Sequence, residues 1–170
     1  VNGRCVSPPT VRRRWCTRRP WWRCRTAACV RSGSPANVKA AIELLQTAQR
    51  PVVLAANGAY DVTREDLERL IDVTHLPLLA EELGRGIVSD DHPYCFGFSD
   101  SRISETAAVQ ADADVVLLLG KKLDFTVNFG GPPTFSPDVK FIQVEPSVDL
   151  IGKSRGVDVA IVGDVGAIVK

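Results

Sequence analysis

Five short, mainly apolar runs follow one another from residue 34 onward: Val52 to Ala55, Leu76 to Ala80, Val115 to Leu119, Phe141 to Val144 and Val157 to Val162, the last two interrupted only by Gln143 and Asp158. Each is too short for a buried helix, and none approaches the 18 or so apolar residues a membrane span needs. Runs that are apolar without alternation fit strands covered on both faces, as in a parallel sheet.

The segments between them carry helix signals. Ser34 followed by Pro35 is a helix start, with the hydroxyl expected to accept a free backbone N–H and Pro at the first helical position. Val38, Ala41, Ile42 and Leu45 then share one face, and Gln49-Arg50-Pro51 ends that helix. Thr63-Arg64-Glu65-Asp66 resembles a capping box with Asp in place of Glu, and Val62 and Leu67 stand at staple positions. Leu67, Leu70 and Ile71 make the buried stripe of this second helix. A long Gly- and Asp-containing loop is expected from Glu81 to about Ser101, a short helix from Thr106 to Ala111, and a last helix after Asp164. Strands joined through helices at this spacing pair in parallel with right-handed crossovers. The expected fold is therefore α/β: a doubly wound parallel sheet of five to six strands flanked by helices, Rossmann-like and of nucleotide-binding type.

Residues 1–33 do not fit this pattern. They hold nine Arg and no acidic residue, a formal +9, while the rest of the chain holds the other 12 basic residues and all 20 acids, a formal −8. All three Trp and four of the five Cys also fall there, yet no helical or alternating period organises them. Cys5, Cys16, Cys24 and Cys29 form no Cys-x-x-Cys pair, and His75 and His92 are distant, so no zinc site is expected. An apolar signal-peptide core is missing too. The segment reads as irregular and basic: out-of-frame or misjoined coding sequence, or a disordered tail. A nucleic-acid-binding arm, with Arg on phosphates and Trp on bases, is the less favoured reading. Thiols without paired spacing fit a reducing compartment, and a cytoplasmic location is expected. With no Met, the chain reads as a fragment: residues 34–170 as one domain, truncated near its last helix.

In doubly wound sheets a ligand sits beyond the carboxyl ends of the strands. Ala56-Asn57-Gly58-Ala59 follows the first run, a small turn whose backbone N–H groups suit a phosphate or adenine, or simply a strand-to-helix turn. Gly84-Arg85-Gly86 follows the second, and Gly120-Lys121-Lys122-Leu123-Asp124 the third, where the two lysines are either solvated surface or face a diphosphate. Glu145 ends the fourth and suits ribose hydroxyls as well as a plain surface or capping role. Asp164, before Val165, suits a helix cap.

In order and spacing these stretches resemble the central domain of thiamine-diphosphate-dependent enzymes, the group of acetolactate synthase, oxalyl-CoA decarboxylase, 2-hydroxyacyl-CoA lyase and benzoylformate decarboxylase. The similarity runs from about Ser34 to Lys170. It is carried by Arg50-Pro51-Val52-Val53-Leu54-Ala55-Ala56-Asn57-Gly58-Ala59, by Gly84-Arg85-Gly86 with Asp91-His92-Pro93, by Ala113 to Gly120, by Phe141 to Glu145, and by Gly163-Asp164. The stretch Leu123 to Gly130 looks most like the acetolactate synthase and 2-hydroxyacyl-CoA lyase members. The resemblance implies an FAD- or ADP-binding domain, or one that binds nothing and bridges its neighbours. It implies that Asn57, Gly58 and Ala59, with Gly84, line the nucleotide. Lys122, where relatives often carry Arg, and Leu123 would lie at the phosphates, Glu145 at the ribose, and Asp164 and Val165 near the adenine.

Catalysis in such enzymes belongs to thiamine diphosphate and Mg²⁺ held by other domains. Gly163-Asp164-Val165 is not the family's Gly-Asp-Gly metal motif, and His92 sits in Asp-His-Pro with no placed nucleophile. No catalytic or metal-ligating residue is therefore expected here. The expected partners are the thiamine-binding domains of a homo-oligomeric parent, with no membrane. A free-standing NAD- or ADP-binding module is the alternative, although the first turn lacks a full Gly-x-Gly-x-x-Gly.

Overall fold

The computed structural model describes residues 33–100 and 102–170. The chain divides into units 1–30 and 31–170; the readings made for the basic N-terminal segment lie outside the described residues.

The strands are β1 (Pro51–Ala55), β2 (Leu78–Ala80), β3 (Cys95–Phe98), β4 (Val115–Leu119), β5 (Lys140–Glu145) and β6 (Val159–Val162). All neighbours pair in parallel, in the order β3-β2-β1-β4-β5-β6. The order reverses between β1 and β4, which places the switch point of the sheet there. In register, Ala55 faces Leu119, Leu119 faces Val144, and Glu145 faces Val162, so these strands end together on one edge.

The apolar runs are explained by burial on both faces. From β1, Val53 and Ala55 enter one core with Leu78, Leu117, Leu119, Ile142 and Val144. Val52 and Leu54 enter the other with Leu79, Val116, Leu118 and Phe141. The α-helices α1 (Pro35–Thr47), α2 (Arg64–Thr74) and α3 (Val165–Val169) pack on the first face, through Ala41, through Leu67 and Ile71, and through Val165. The second face is covered instead by the connections around β4 and β5. There Leu123, Val127 and Phe135 pack inward, with Phe135 edge-on to Phe141 at 5.2 Å between ring centroids. Helices were expected on both faces, and here 3₁₀ turns with irregular chain take that role.

Three further expectations are corrected. The stretch read as one long loop contains β3, an edge strand hidden by Gly97 within it, by Pro93 just before it and by an irregular register with β2. Thr106 to Ala111 is a 3₁₀ turn over Glu105–Gln110. Ile42 is 50% exposed, because the inward face of α1 narrows to Ala41 with Val38 and Leu45 part-buried.

Caps divide similarly. Ser34 makes no side-chain cap bond. Thr63 Oγ1 accepts from the Asp66 N–H at 3.2 Å, and Val62 and Leu67 are both buried as a staple requires. Asp164 Oδ1 accepts from the Ala167 N–H at 3.0 Å, so it caps α3. Among the described residues no helix is long and apolar enough to cross a membrane.

Candidate functional site

A cleft of about 160 Å³ opens at the carboxyl edge beside the switch point, lined by Ala56, Asn57, Gly58, Lys121, Lys122 and Glu145 among others. The turn after β1, the turn after β4 and the end of β5 thus bring Asn57, Gly58, Lys122 and Glu145 together. The other residues singled out in the sequence stand elsewhere. Ala59, Leu123 and Val165 are buried in the two cores, and Asp164 is the α3 cap. Gly84 is pressed on the end of β1, where a Cβ would come 2.3 Å from the Ala55 carbonyl oxygen.

The glycines of the cleft are required by the chain itself. Gly58 N–H donates to the Gly120 carbonyl at 3.0 Å, and a Cβ on Gly58 would lie 2.5 Å from Gly120 Cα. Gly120 has φ +60°, a left-handed conformation glycine adopts without strain. Ala59 N–H donates to the Ala56 carbonyl at 2.8 Å, and Gly120 N–H to Val144 at 2.9 Å. Asn57 is engaged at both ends of its amide: Oδ1 accepts from the Leu83 N–H at 2.9 Å, and Nδ2 donates to the Glu82 carboxylate. It ties the turn after β1 to the turn after β2.

Lys121 is the feature the sequence did not reveal. Its side chain is 1% exposed, and its Nζ lies 2.5 Å from Glu81 Oε2, 2.6 Å from Thr126 Oγ1, 3.1 Å from Glu82 Oε1 and 3.1 Å from Asp124 Oδ1. Burial alone would lower the pKa of this ammonium, but Glu81, then Asp124 and Glu82, hold it above its ordinary value. Asp124 responds in the opposite sense. Burial pushes its carboxyl up, but hydrogen bonds from Thr126 and Lys121 outweigh that and hold its pKa below the usual range.

Lys122 points the other way: its side chain is 55% exposed, and Nζ stands 3.6 Å from Asp124 Oδ2. Glu145 is buried, and desolvation raises its pKa against the opposing Ser147 N–H and the Lys122 charge. Behind it, Gln143 Nε2 donates to the Lys121 carbonyl at 3.0 Å, and Gln143 Oε1 accepts from Gly152 N–H at 3.0 Å. A Gln inside an otherwise apolar strand was the available signal for this latch. Among the described residues no group of three or more His, Cys, Asp or Glu is placed to hold a metal.

A parallel six-stranded sheet of this order, with its cleft at the switch point, defines an open α/β domain of the doubly wound class. Residues 38–170 match the family described as "Thiamine pyrophosphate enzyme, central domain", and the chain belongs to that family. It is similar to 2-hydroxyacyl-CoA lyase 1 of Homo sapiens, 34% identical over 131 residues, covering 76% of this chain and 22% of that protein. Against 2-hydroxyacyl-CoA lyase 1 of Dictyostelium discoideum it is 39% identical over 132 residues, covering 75% and 22%. The chain thus spans about a fifth of the length of these relatives. In fold it resembles a Mycobacterium smegmatis protein described as a thiamin diphosphate-dependent enzyme: TM-score 0.65, 16% identity, with 81% of this chain and 27% of that one covered.

Proposed function

We propose that this domain bridges the thiamine-binding domains of a carbon–carbon lyase acting on 2-hydroxyacyl-CoA-type substrates, and that it performs no chemistry by itself. The supporting observation is that the family match, 38–170, coincides with one six-stranded layer covered on both faces. Such a unit has its own core and suits the role of a rigid connector. Among the parent chemistries the resemblance allows, acetolactate synthase included, the identities of 34% and 39% to two lyases favour the lyase.

Thiamine diphosphate, when bound, supplies a carbanion-stabilising centre. The residues described here do not fit it or its Mg²⁺: Asp164, in the only Gly-Asp pair of the chain, is engaged as a helix cap. What the chain's own residues do is hold the sheet edge in shape, through Asn57, Gln143 and the Lys121 cluster.

The reading is tested by titrating the 170-residue chain with thiamine diphosphate and Mg²⁺ in a calorimeter and assaying it for cleavage of a 2-hydroxyacyl-CoA. No binding and no turnover are expected. In parallel, residues 33–170 replace the corresponding domain of the Dictyostelium lyase, and the hybrid is expected to assemble and cleave substrate. Turnover by the chain alone, or a folded, thiamine-loaded hybrid that is inert, overturns the proposal.

A further inference from the structure

The resemblance implies FAD or ADP at the carboxyl edge, and the edge itself disagrees. We propose that this cleft takes neither group, because the Lys121 ammonium, carried by the chain, closes the edge that a bound nucleotide would otherwise organise.

Five observations converge. A diphosphate at a switch point is held by backbone N–H groups and a cation. Here the Gly58, Ala59 and Gly120 N–H groups are already bound to Gly120, Ala56 and Val144 carbonyls. The Asn57 amide is likewise engaged by Leu83 and Glu82. Lys121 lines the cleft, but its ammonium is already taken up by Glu81, Glu82, Asp124 and Thr126 at 2.5–3.1 Å, so it is not free to serve as a phosphate ligand.

The remaining charge is already balanced. Of the charged residues lining the cleft, Glu82 and Glu145 stand against Lys121 and Lys122, and Lys122 also stands beside Asp124 at 3.6 Å. A diphosphate approaching this rim meets no excess of positive charge to offset its own. The space is also small: about 160 Å³, against roughly 300–1,000 Å³ for ordinary small-molecule sites.

The ammonium has a positive role in place of the ligand. Glu81 and Glu82 follow β2, Lys121 and Asp124 follow β4, and Asn57 joins Glu82 to the turn after β1. One buried cation thereby fastens three turns across the switch point. Lys121 is a positioning residue, and the edge is preorganised without a bound molecule.

The test uses the full 170-residue chain, followed by thermal unfolding and by calorimetry with ADP and with FAD at about 1 mM, a concentration that reveals binding through linkage. An unchanged midpoint and no heat of binding are expected. A saturable shift with either nucleotide overturns the inference and leaves the bridging role standing. Lys121→Met is expected to lower the midpoint by on the order of 10 °C, since it leaves buried carboxylates unpaired. Should that variant fail to fold, Glu82→Gln serves, with a smaller fall and the same indifference to ADP. A midpoint equal to wild type in the variant that folds overturns the role given to the ammonium.

Discussion

The Lys121 ammonium sits 2.5 Å from the Glu81 carboxylate, with the two side chains 1% and 4% exposed. An ion pair so far from water is held only because Glu82, Asp124 and Thr126 complete the shell. Removing the cation should therefore cost far more than a surface pair: Lys121→Met is expected to lose about 3–5 kcal/mol in urea unfolding. The pH dependence has a definite sign. The folded-state pKa of Lys121 is raised, so its contribution is complete below the ordinary lysine value and is lost as pH rises through the folded one. Alkaline titration of wild-type stability should show this loss, and Lys121→Met should not.

Gly58 and Gly120 touch backbone to backbone, with the Gly58 N–H bound to the Gly120 carbonyl. A methyl group at position 58 has only backbone in its way. Gly58→Ala is expected to destabilise the chain by roughly 1–3 kcal/mol, the usual scale of overpacking, measured by chemical denaturation. A neutral substitution would mean that the two turns are free to separate.

Glu145 is a carboxyl whose burial raises its pKa. The folded state then binds the proton more tightly than the unfolded chain, so stability falls as pH rises from the ordinary Glu value through the raised one. Glu145→Gln should remove that slope and leave the protein slightly more stable at neutral pH, as read by unfolding midpoints across the acid range. Asp124 works in the reverse direction. Its lowered pKa gives stability that is present above the ordinary Asp value and lost as pH falls through the lower one.

Arg155 gathers the connection between β4 and β5. Its guanidinium donates to the carbonyls of Gly130, of Pro137 at 2.7 Å and of Val139 at 3.2 Å, and lies 5.0 Å over the Phe141 ring. Arg155→Ala is expected to cost about 1–3 kcal/mol, from unpaired carbonyls and the lost cation–π contact. Hydrogen exchange should rise first in residues 130–139, because this connection covers the second core with no α-helix of its own.

The parallel sheet was legible because burial on both faces leaves an apolar run, unbroken in four of the six strands and interrupted only by Gln143 in β5. β3 was not, since Cys95-Phe96-Gly97-Phe98 is an edge strand with Gly97 at φ +79° and little burial to write a pattern. The gathering of Asn57, Gly58, Lys122 and Glu145 on one edge followed from strand ends in register. The direction of the two lysines did not: Lys121 and Lys122 are adjacent and alike in sequence, yet one is buried and the other exposed. Only the tertiary arrival of Glu81 and Glu82 from β2 decides between them. Likewise Gly58 read equally well as a phosphate turn or a tight turn, and it is Gly120, 62 positions later in the chain, that explains it.

The most direct measurement is a crystal structure of the full chain grown with millimolar ADP. Lys121 Nζ is expected within salt-bridge distance of Glu81, Glu82 and Asp124, with the cleft beside Glu145 free of nucleotide. An ADP molecule seated on the Gly58 turn, with Lys121 or Lys122 drawn onto its phosphates, would contradict a sheet edge closed by its own charges.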